Sequence, residues 1–306
     1  MIETWQQALP HGITLSCRAS GERGRPVLLF LHGFPEAAFA WDALLEHFAR
    51  PENGGYRCVA PNLRGYEHSS APTDVRDYRA KHLLQDIAAL IDLESPGAPL
   101  AALVAHDWGG ALAWAFANQH PHRMQRLVIV NAPHPGTYLR ELQNNPAQQA
   151  ASAYMNFLVR PDAARLLTEN SHARLFGFFE GMGASAAPGK PGAPIGAGWL
   201  TEAVRAQYHA VWDLGVQGGL NYYCASPLHP ANAHDIQLPP EALRIDVPTL
   251  VLWAQDDIAL LPCLCEGLDA FVPDLKLVAL HQATHWVVHE QPQRVIAEIG
   301  AFLKAQ

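Results

Sequence analysis

One acid stands between a buried strand and a helix. The segment Leu100-Ala-Ala-Leu-Val-Ala-His-Asp-Trp-Gly-Gly-Ala-Leu-Ala-Trp114 passes from an apolar run into a helical pattern, with Ala105 two residues before Asp107 and Gly109 two residues after it. A sharp strand-to-helix turn strains its tip residue and tolerates only small side chains on either side. In the Gly-x-Ser-x-Gly form of this elbow, the serine needs a base before it can attack. An aspartate at the tip is already ionised at neutral pH. No Gly-x-Ser-x-Gly occurs in the chain. Aspartate is also a common helix N-cap, so this segment alone leaves a capping and a nucleophilic role open for Asp107.

Three more strand ends carry chemistry. Val27-Leu-Leu-Phe-Leu-His-Gly-Phe-Pro35 is a second buried strand, ending in His-Gly before a turn. Its Phe34 amide and the amide of Trp108 can converge as an oxyanion hole, one donor after the nucleophile and one after an earlier strand. Thr249-Leu-Val-Leu-Trp-Ala-Gln-Asp-Asp257 ends in two acids, Asp256 and Asp257, either of which could orient an imidazole. In Leu275-Lys-Leu-Val-Ala-Leu-His-Gln-Ala-Thr-His-Trp-Val-Val-His289, histidines recur every four residues at His281, His285 and His289. That spacing could bind a metal on a helix, but the run follows a strand and has no nearby carboxylate beyond Glu290. A base at His285, in the loop after the last strand, is the stronger reading. The chain order is then nucleophile, acid, base, the order of hydrolases built on this elbow, and it favours attack over capping for Asp107.

These strand ends need a sheet to bring them together. Apolar runs at 13–17, 27–31, 58–60, 100–105 and 127–130 alternate with helical stripes, of which Trp41, Leu44, Leu45 and Phe48 mark one and Leu83, Leu84, Ile87, Leu90 and Ile91 another. Such alternation predicts an α/β fold with a mostly parallel sheet flanked by helices. It stops after Val130 and returns at 248–254, with a helix expected over 264–271, a strand over 275–280 and a last helix over 291–304. The expected organisation is a core of residues 1–137 and 229–306, split by a helical cap at 138–228. Within the cap, residues 181–198 hold three Pro and six Gly and read as a flexible loop.

Composition narrows the class. In 306 residues, 49% are apolar and 16% charged, which describes a globular chain and not a disordered one. The formal charge of −8, without a Lys/Arg run, offers no counter-charge to nucleic acid or to an anionic membrane surface. No apolar run is long enough to span a bilayer, and the first ten residues lack a basic start followed by an apolar stretch. Five scattered cysteines do not form a disulfide framework, and a cytoplasmic protein with reduced thiols is expected.

With these segments in view, the chain resembles the α/β-hydrolase superfamily over nearly its whole length, in the branch with an aspartate nucleophile, and resembles epoxide hydrolases most. His32-Gly-Phe-Pro-Glu36 with Trp41, Pro61-Asn-Leu-Arg-Gly-Tyr66, His106-Asp-Trp-Gly-Gly110, Asn131-Ala-Pro-His-Pro135 and Thr284-His-Trp286 carry the likeness. The resemblance implies two cap tyrosines that hydrogen-bond an epoxide oxygen, carried here to Tyr154 and Tyr223. It implies a covalent ester on Asp107, hydrolysed by water that His285 activates, with Asp257 as the acid partner by alignment to the family pattern. No metal and no organic cofactor is implied. His32, Phe34, Trp108, Phe157, Trp212 and Leu261 are expected around a small apolar epoxide-type substrate. A homodimer is compatible with the sequence. The related haloalkane and haloacetate dehalogenases are the alternative, but Trp108 stands where haloacetate enzymes carry Arg, and Phe34 offers no side-chain donor to a halide. A ligand sensor without turnover is the third reading.

Overall fold

The structure is a computed structural model and describes residues 1–184 and 195–305. Strands β1 (Glu3–Ala8), β2 (Thr14–Ser20), β3 (Val27–Leu31), β4 (Arg57–Pro61), β5 (Ala102–His106), β6 (Leu127–Val130), β7 (Thr249–Ala254) and β8 (Leu275–Leu280) form one sheet in the order β1-β2-β4-β3-β5-β6-β7-β8. β2 pairs antiparallel with β1 and β4, and every pairing from β4 to β8 is parallel. Strands covered on both faces must be apolar on both, and β3 to β7 are buried at every residue. The edge strand β1 has no such requirement. Its Glu-Thr-Trp-Gln-Gln-Ala sequence is largely exposed, and no apolar run marks it as a strand.

Alternate residues of the strands feed two layers. Leu28, Phe30, Val104, Val128 and Leu250 pack with Leu44, Leu45 and Phe48 of α1 (Asp42–Phe48), and with Val295 and Ile299 of a C-terminal helix (Pro292–Lys304). Leu29, Leu31, Leu103, Leu127 and Val251 pack on the other side with the apolar stripes of α2 (Ala80–Glu94) and α3 (Asp107–Gln119). The helix expected over 264–271 is instead two short 3-10 turns, Pro262–Cys265 and Leu268–Ala270. Extended Glu266 and left-handed Gly267 (φ 67°) break it.

Between β6 and β7 the described residues form helices and no strand: α4 (Pro135–Asn144), α5 (Pro146–Ala151), α6 (Met155–Leu158), α7 (Ala163–Glu180), α8 (Glu202–Trp212) and α9 (Gln217–Ala225). Left-handed Asn170, Ser171 and His172 interrupt α7. Of the glycine- and proline-rich stretch at 181–198, residues 185–194 lie outside the described residues. At its two ends the Gly198 amide donates to the Ala184 carbonyl at 2.9 Å. The helical segment is tied to loops that follow strands. The Trp212 indole donates to Pro35 O at 2.7 Å, the Tyr222 hydroxyl to Arg64 O at 2.9 Å, and the Gln148 amide to Ala259 O at 2.9 Å. It therefore lies over the carboxyl ends of the sheet, where the sequence-derived site residues also emerge. Two short helices complete the chain: α10 (Val287–Glu290) and α11, the C-terminal helix already placed against α1.

Candidate active site

β3 and β5 are neighbours in the sheet while their sequence neighbours lie on opposite sides, so the chain reverses direction between them. Open α/β sheets bind ligands outside such a switch point. Asp107 sits there, one residue beyond β5, with φ +49°. A left-handed backbone is costly for a residue with a Cβ and persists only where its surroundings enforce it. Here packing does so: a Cβ on Gly109 would strike the Leu31 carbonyl oxygen, and one on Gly110 would strike Ala132. Small residues let α3 press against β3 and throw the Asp107 side chain outward. The Phe34 amide, from the turn after β3, donates to Asp107 Oδ1 at 2.7 Å. A Cβ on Gly33 would collide with the same carboxylate.

The other carboxylate oxygen faces an imidazole. His285 Nε2 stands 3.6 Å from Asp107 Oδ2, and its Nδ1 lies 2.7 Å from Asp257 Oδ2. Asp257 is 2% exposed, whereas Asp256 is exposed and its amide donates to the Ala283 carbonyl at 3.0 Å. Of the two acids at the end of β7, it is Asp257 whose carboxylate meets the imidazole. Burial alone would raise the Asp257 carboxyl. The His285 charge and hydrogen bond, with the Ala259 and Leu260 amides at 2.9 Å, hold it below its usual value. For His285, burial favours the neutral ring, but Asp257 and Asp107 outweigh it and raise its pKa to about 10.

Tyr154, in the 3-10 turn Ser152–Tyr154, and Tyr223, on α9, come from different parts of the inter-strand segment and meet at this site. Their ring centroids are 6.4 Å apart, and Tyr223 packs edge-on to Phe34 at 5.4 Å and to Trp108 at 5.0 Å. Burial raises both phenols well above their ordinary pKa, each helped by the other or by a neighbouring phenol and by the Asp107 charge. Both therefore keep their hydroxyl protons at neutral pH.

Other expected site residues are placed differently. His32 is fully buried, and both its nitrogens serve backbone: Nδ1 donates to Gly33 O at 3.0 Å and Nε2 accepts from the Leu63 amide at 3.0 Å. Burial lowers its pKa to about 4. It clamps the β3 turn to the turn after β4, and no face remains for substrate. Trp212 is 3% exposed and packs on Phe176, Phe179 and Tyr208, where it anchors α8 to Pro35. Phe157 is half-buried beneath the Arg160 guanidinium, and half-buried Leu261 donates its amide to Gln148 Oε1 at 3.0 Å. The three histidines of the 281–289 run separate: His281 is exposed, and His289 is bonded to Glu36.

The structure adds residues that had no role assigned from sequence. Asn131, left-handed at φ +39° one residue past β6, donates to Asp257 Oδ2 at 2.9 Å and accepts from the Ala254 amide at 2.9 Å. Gln148, fully buried, bonds Ala259 O and the Leu261 amide and so braces the loop that carries Asp257. Phe178 lies 6.1 Å from Phe34 and 6.3 Å from Tyr154. An asparagine directly after a buried strand was the one visible signal, since Asn tolerates left-handed backbone.

Residues 26–292 match the family model for the alpha/beta hydrolase fold. The chain is 31% identical to epoxide hydrolase 4 of Mus musculus over 96% of this chain and 77% of the relative. It is 32% identical to epoxide hydrolase 3 of Xenopus tropicalis over 96% of this chain and 75% of the relative. Among solved structures, it is similar to an epoxide hydrolase of Bacillus megaterium in complex with an inhibitor, with 27% identity, a TM-score of 0.87, and coverage of 98% of this chain and 100% of that one. Among the described residues no helix is long and apolar enough to cross a membrane. With its sheet order, its elbow at Asp107 and these relatives, the chain belongs to the α/β-hydrolase family and is an enzyme of the epoxide hydrolase type.

Proposed function

We propose that this enzyme hydrolyses uncharged, apolar epoxides to vicinal diols in two steps. In the first, an Asp107 carboxylate oxygen attacks a ring carbon and the carbon–oxygen bond to the epoxide oxygen breaks. Tyr154 and Tyr223 hydrogen-bond that oxygen, and one of them supplies its proton. An alkoxide is far more basic than a phenolate, so this transfer runs downhill even from a buried phenol. The product is a hydroxyalkyl ester on Asp107.

Water cleaves that ester in the second step. His285 takes a proton from water, hydroxide adds to the Asp107 carbonyl carbon, and the Phe34 and Trp108 amides stabilise the oxyanion. Collapse releases the alkyl oxygen, which recovers a proton from His285, and the diol leaves; the proton on the Asp107 carboxyl then passes to His285, which restores the carboxylate and the imidazolium. Esterification also prepares the base. The Asp107 charge is one of the causes that raise the His285 pKa, and the ester has none, so the imidazolium gives its proton to the tyrosinate left by the first step and becomes the neutral base.

Residues 1–137 and 229–306 serve as the core in this reading, and 138–228 as a cap that supplies Tyr154 and Tyr223 and excludes water. All five cysteines are free thiols, which supports a reducing, cytoplasmic setting. The observation that carries the proposal is the Asp107 carboxylate itself, with one oxygen on the Phe34 amide and the other facing His285. The test is His285→Gln incubated with an epoxide panel. Intact mass should show an adduct of one epoxide per chain, mapped to Asp107, and wild-type protein should form diol. No adduct with any reactive epoxide, or halide release from haloalkanes or haloacetate without epoxide turnover, would reject it.

A further inference from the structure

Behind His285 lies a second buried network that the two steps above do not use. Glu36 is 2% exposed and sits among His106, His289 and Tyr208. Burial would raise its carboxyl, but the charges and hydrogen bonds of His289 and His106 hold it well below the usual range, so it is an anion that only accepts. Its Oε2 faces His106 Nδ1 at 3.0 Å. The other nitrogen of that ring, Nε2, faces the His285 carbonyl oxygen at 2.9 Å. The ring of His106 thus bridges the Glu36 carboxylate and the backbone of His285. His106 is 1% exposed, so water cannot replace either contact, and Glu36 maintains the link from His106 to His285.

Glu36 is itself held from the far side. Oε1 accepts from His289 Nε2 at 2.6 Å and from the Tyr208 hydroxyl at 3.1 Å, and that hydroxyl also lies 3.1 Å from His289 Nε2. Tyr208 is fully buried in α8, and the His289 ring lies flat on Trp199 with centroids 4.2 Å apart. One network therefore joins the helical segment, the turn after β3, the residue immediately before Asp107 and the loop that carries the base.

We propose that Tyr208 and His289 are positioning residues for the hydrolytic step. By holding Glu36 against His106 they fix the backbone of His285, and with it the imidazole, over Asp107. This rests on the reading of Asp107 and His285 given above. Alkylation needs the Asp107 carboxylate and the two phenols. Hydrolysis needs His285 Nε2 in line with a water and the Asp107 carbonyl, and displacements of about 1 Å in such a geometry can cost ~100-fold in rate. Drift of the base should thus fall on the second step.

The experiment follows the Asp107 adduct by rapid-quench intact mass in single turnovers with styrene oxide. Tyr208→Phe is nearly isosteric and His289 is partly exposed, so both variants should fold. In a Tyr208→Phe, His289→Leu double variant, adduct formation should stay within about threefold of wild type while adduct decay slows by about tenfold or more. His289→Gln keeps an N–H donor and should recover most of the decay rate. Equal slowing of both phases, unchanged decay in the double variant, or His289→Gln decaying as slowly as His289→Leu would overturn the assignment alone. Diol formation by the wild type without any adduct would remove the two-step chemistry itself, and the assignment with it.

Discussion

The Nε2 atom of His285 stands 3.6 Å from Oδ2 of Asp107, near enough to feel the carboxylate charge and just too far for a good hydrogen bond. Together with Asp257 this charge raises the His285 pKa to about 10, against the opposing effect of burial, so the resting enzyme carries an imidazolium. Asp107→Asn imitates the charge of the ester and should lower the His285 pKa, read from the pH titration of its ring protons by NMR. The linkage has a definite sign. A pKa raised on folding stabilises fully below the unfolded value near 6.5 and is lost as pH rises through about 10. Urea unfolding from pH 7 to pH 10.5 should show a smaller loss of stability in Asp107→Asn than in wild type. An identical loss in both would mean that Asp107 does not set the charge of His285.

Tyr154 and Tyr223 reach the same place from separate stretches of chain, and burial keeps both protonated. If they supply and stabilise the proton on the opening ring, the Tyr154→Phe, Tyr223→Phe double variant should form the Asp107 adduct ~100- to 10,000-fold more slowly, the usual range for losing a general acid. Each single variant should lose less, because the other hydroxyl remains. Adduct decay after mixing should change little. A double variant that alkylates at the wild-type rate would remove the tyrosines from the mechanism.

What the sequence reveals here is governed by how local each constraint is. Buried parallel strands must be apolar on both faces, so 27–31 and 127–130 match the observed strands residue for residue, and Asp107, His285 and Asp257 stand out as polar residues just beyond strand ends. The choice between Asp256 and Asp257 needed the fold, because adjacent residues at the end of a strand point apart and nothing local says which points inward. His32 illustrates the converse. A polar residue at a strand end invites a role in binding, yet its two nitrogens are consumed by Gly33 and Leu63, and Leu63 is 31 residues away. Glu36, Tyr208 and His289 are joined across up to 253 residues of sequence, so no periodicity or spacing can report their network.

The elbow itself can be tested through Gly109. Its Cβ position is occupied by backbone at the end of β3 and just past it, the Leu31 and His32 carbonyl groups, which cannot swing aside as a side chain could. Gly109→Ala must therefore push α3 away from β3 or distort the turn at Asp107. Overpacking of a rigid site costs about 1–3 kcal/mol or more, so the melting temperature should fall by several degrees, with loss of adduct formation. Gly177→Ala is the control, since a Cβ there meets nothing within 4 Å. Equal stability of both variants would show that α3 and β3 are not in the close contact on which the strained Asp107 depends.

Four aromatic rings close a circuit beside Asp107. Phe34 meets Phe178 at 6.1 Å, Phe178 meets Tyr154 at 6.3 Å, Tyr154 meets Tyr223 at 6.4 Å, and Tyr223 returns to Phe34 at 5.4 Å, each pair edge to face. No charge is offered by any of them, so a substrate held here gains from apolar and ring contacts. Phe178, on α7, is the member with no part in the chemistry. Its loss should remove a ring contact worth about 0.5–1.5 kcal/mol, raising KM for an aryl epoxide roughly 2- to 12-fold while kcat changes little. A short aliphatic epoxide such as 1,2-epoxybutane cannot reach as many rings and should show a smaller change in KM. If Phe178→Ala lowers kcat for both substrates equally and leaves KM alone, the ring supports the tyrosines and does not hold substrate.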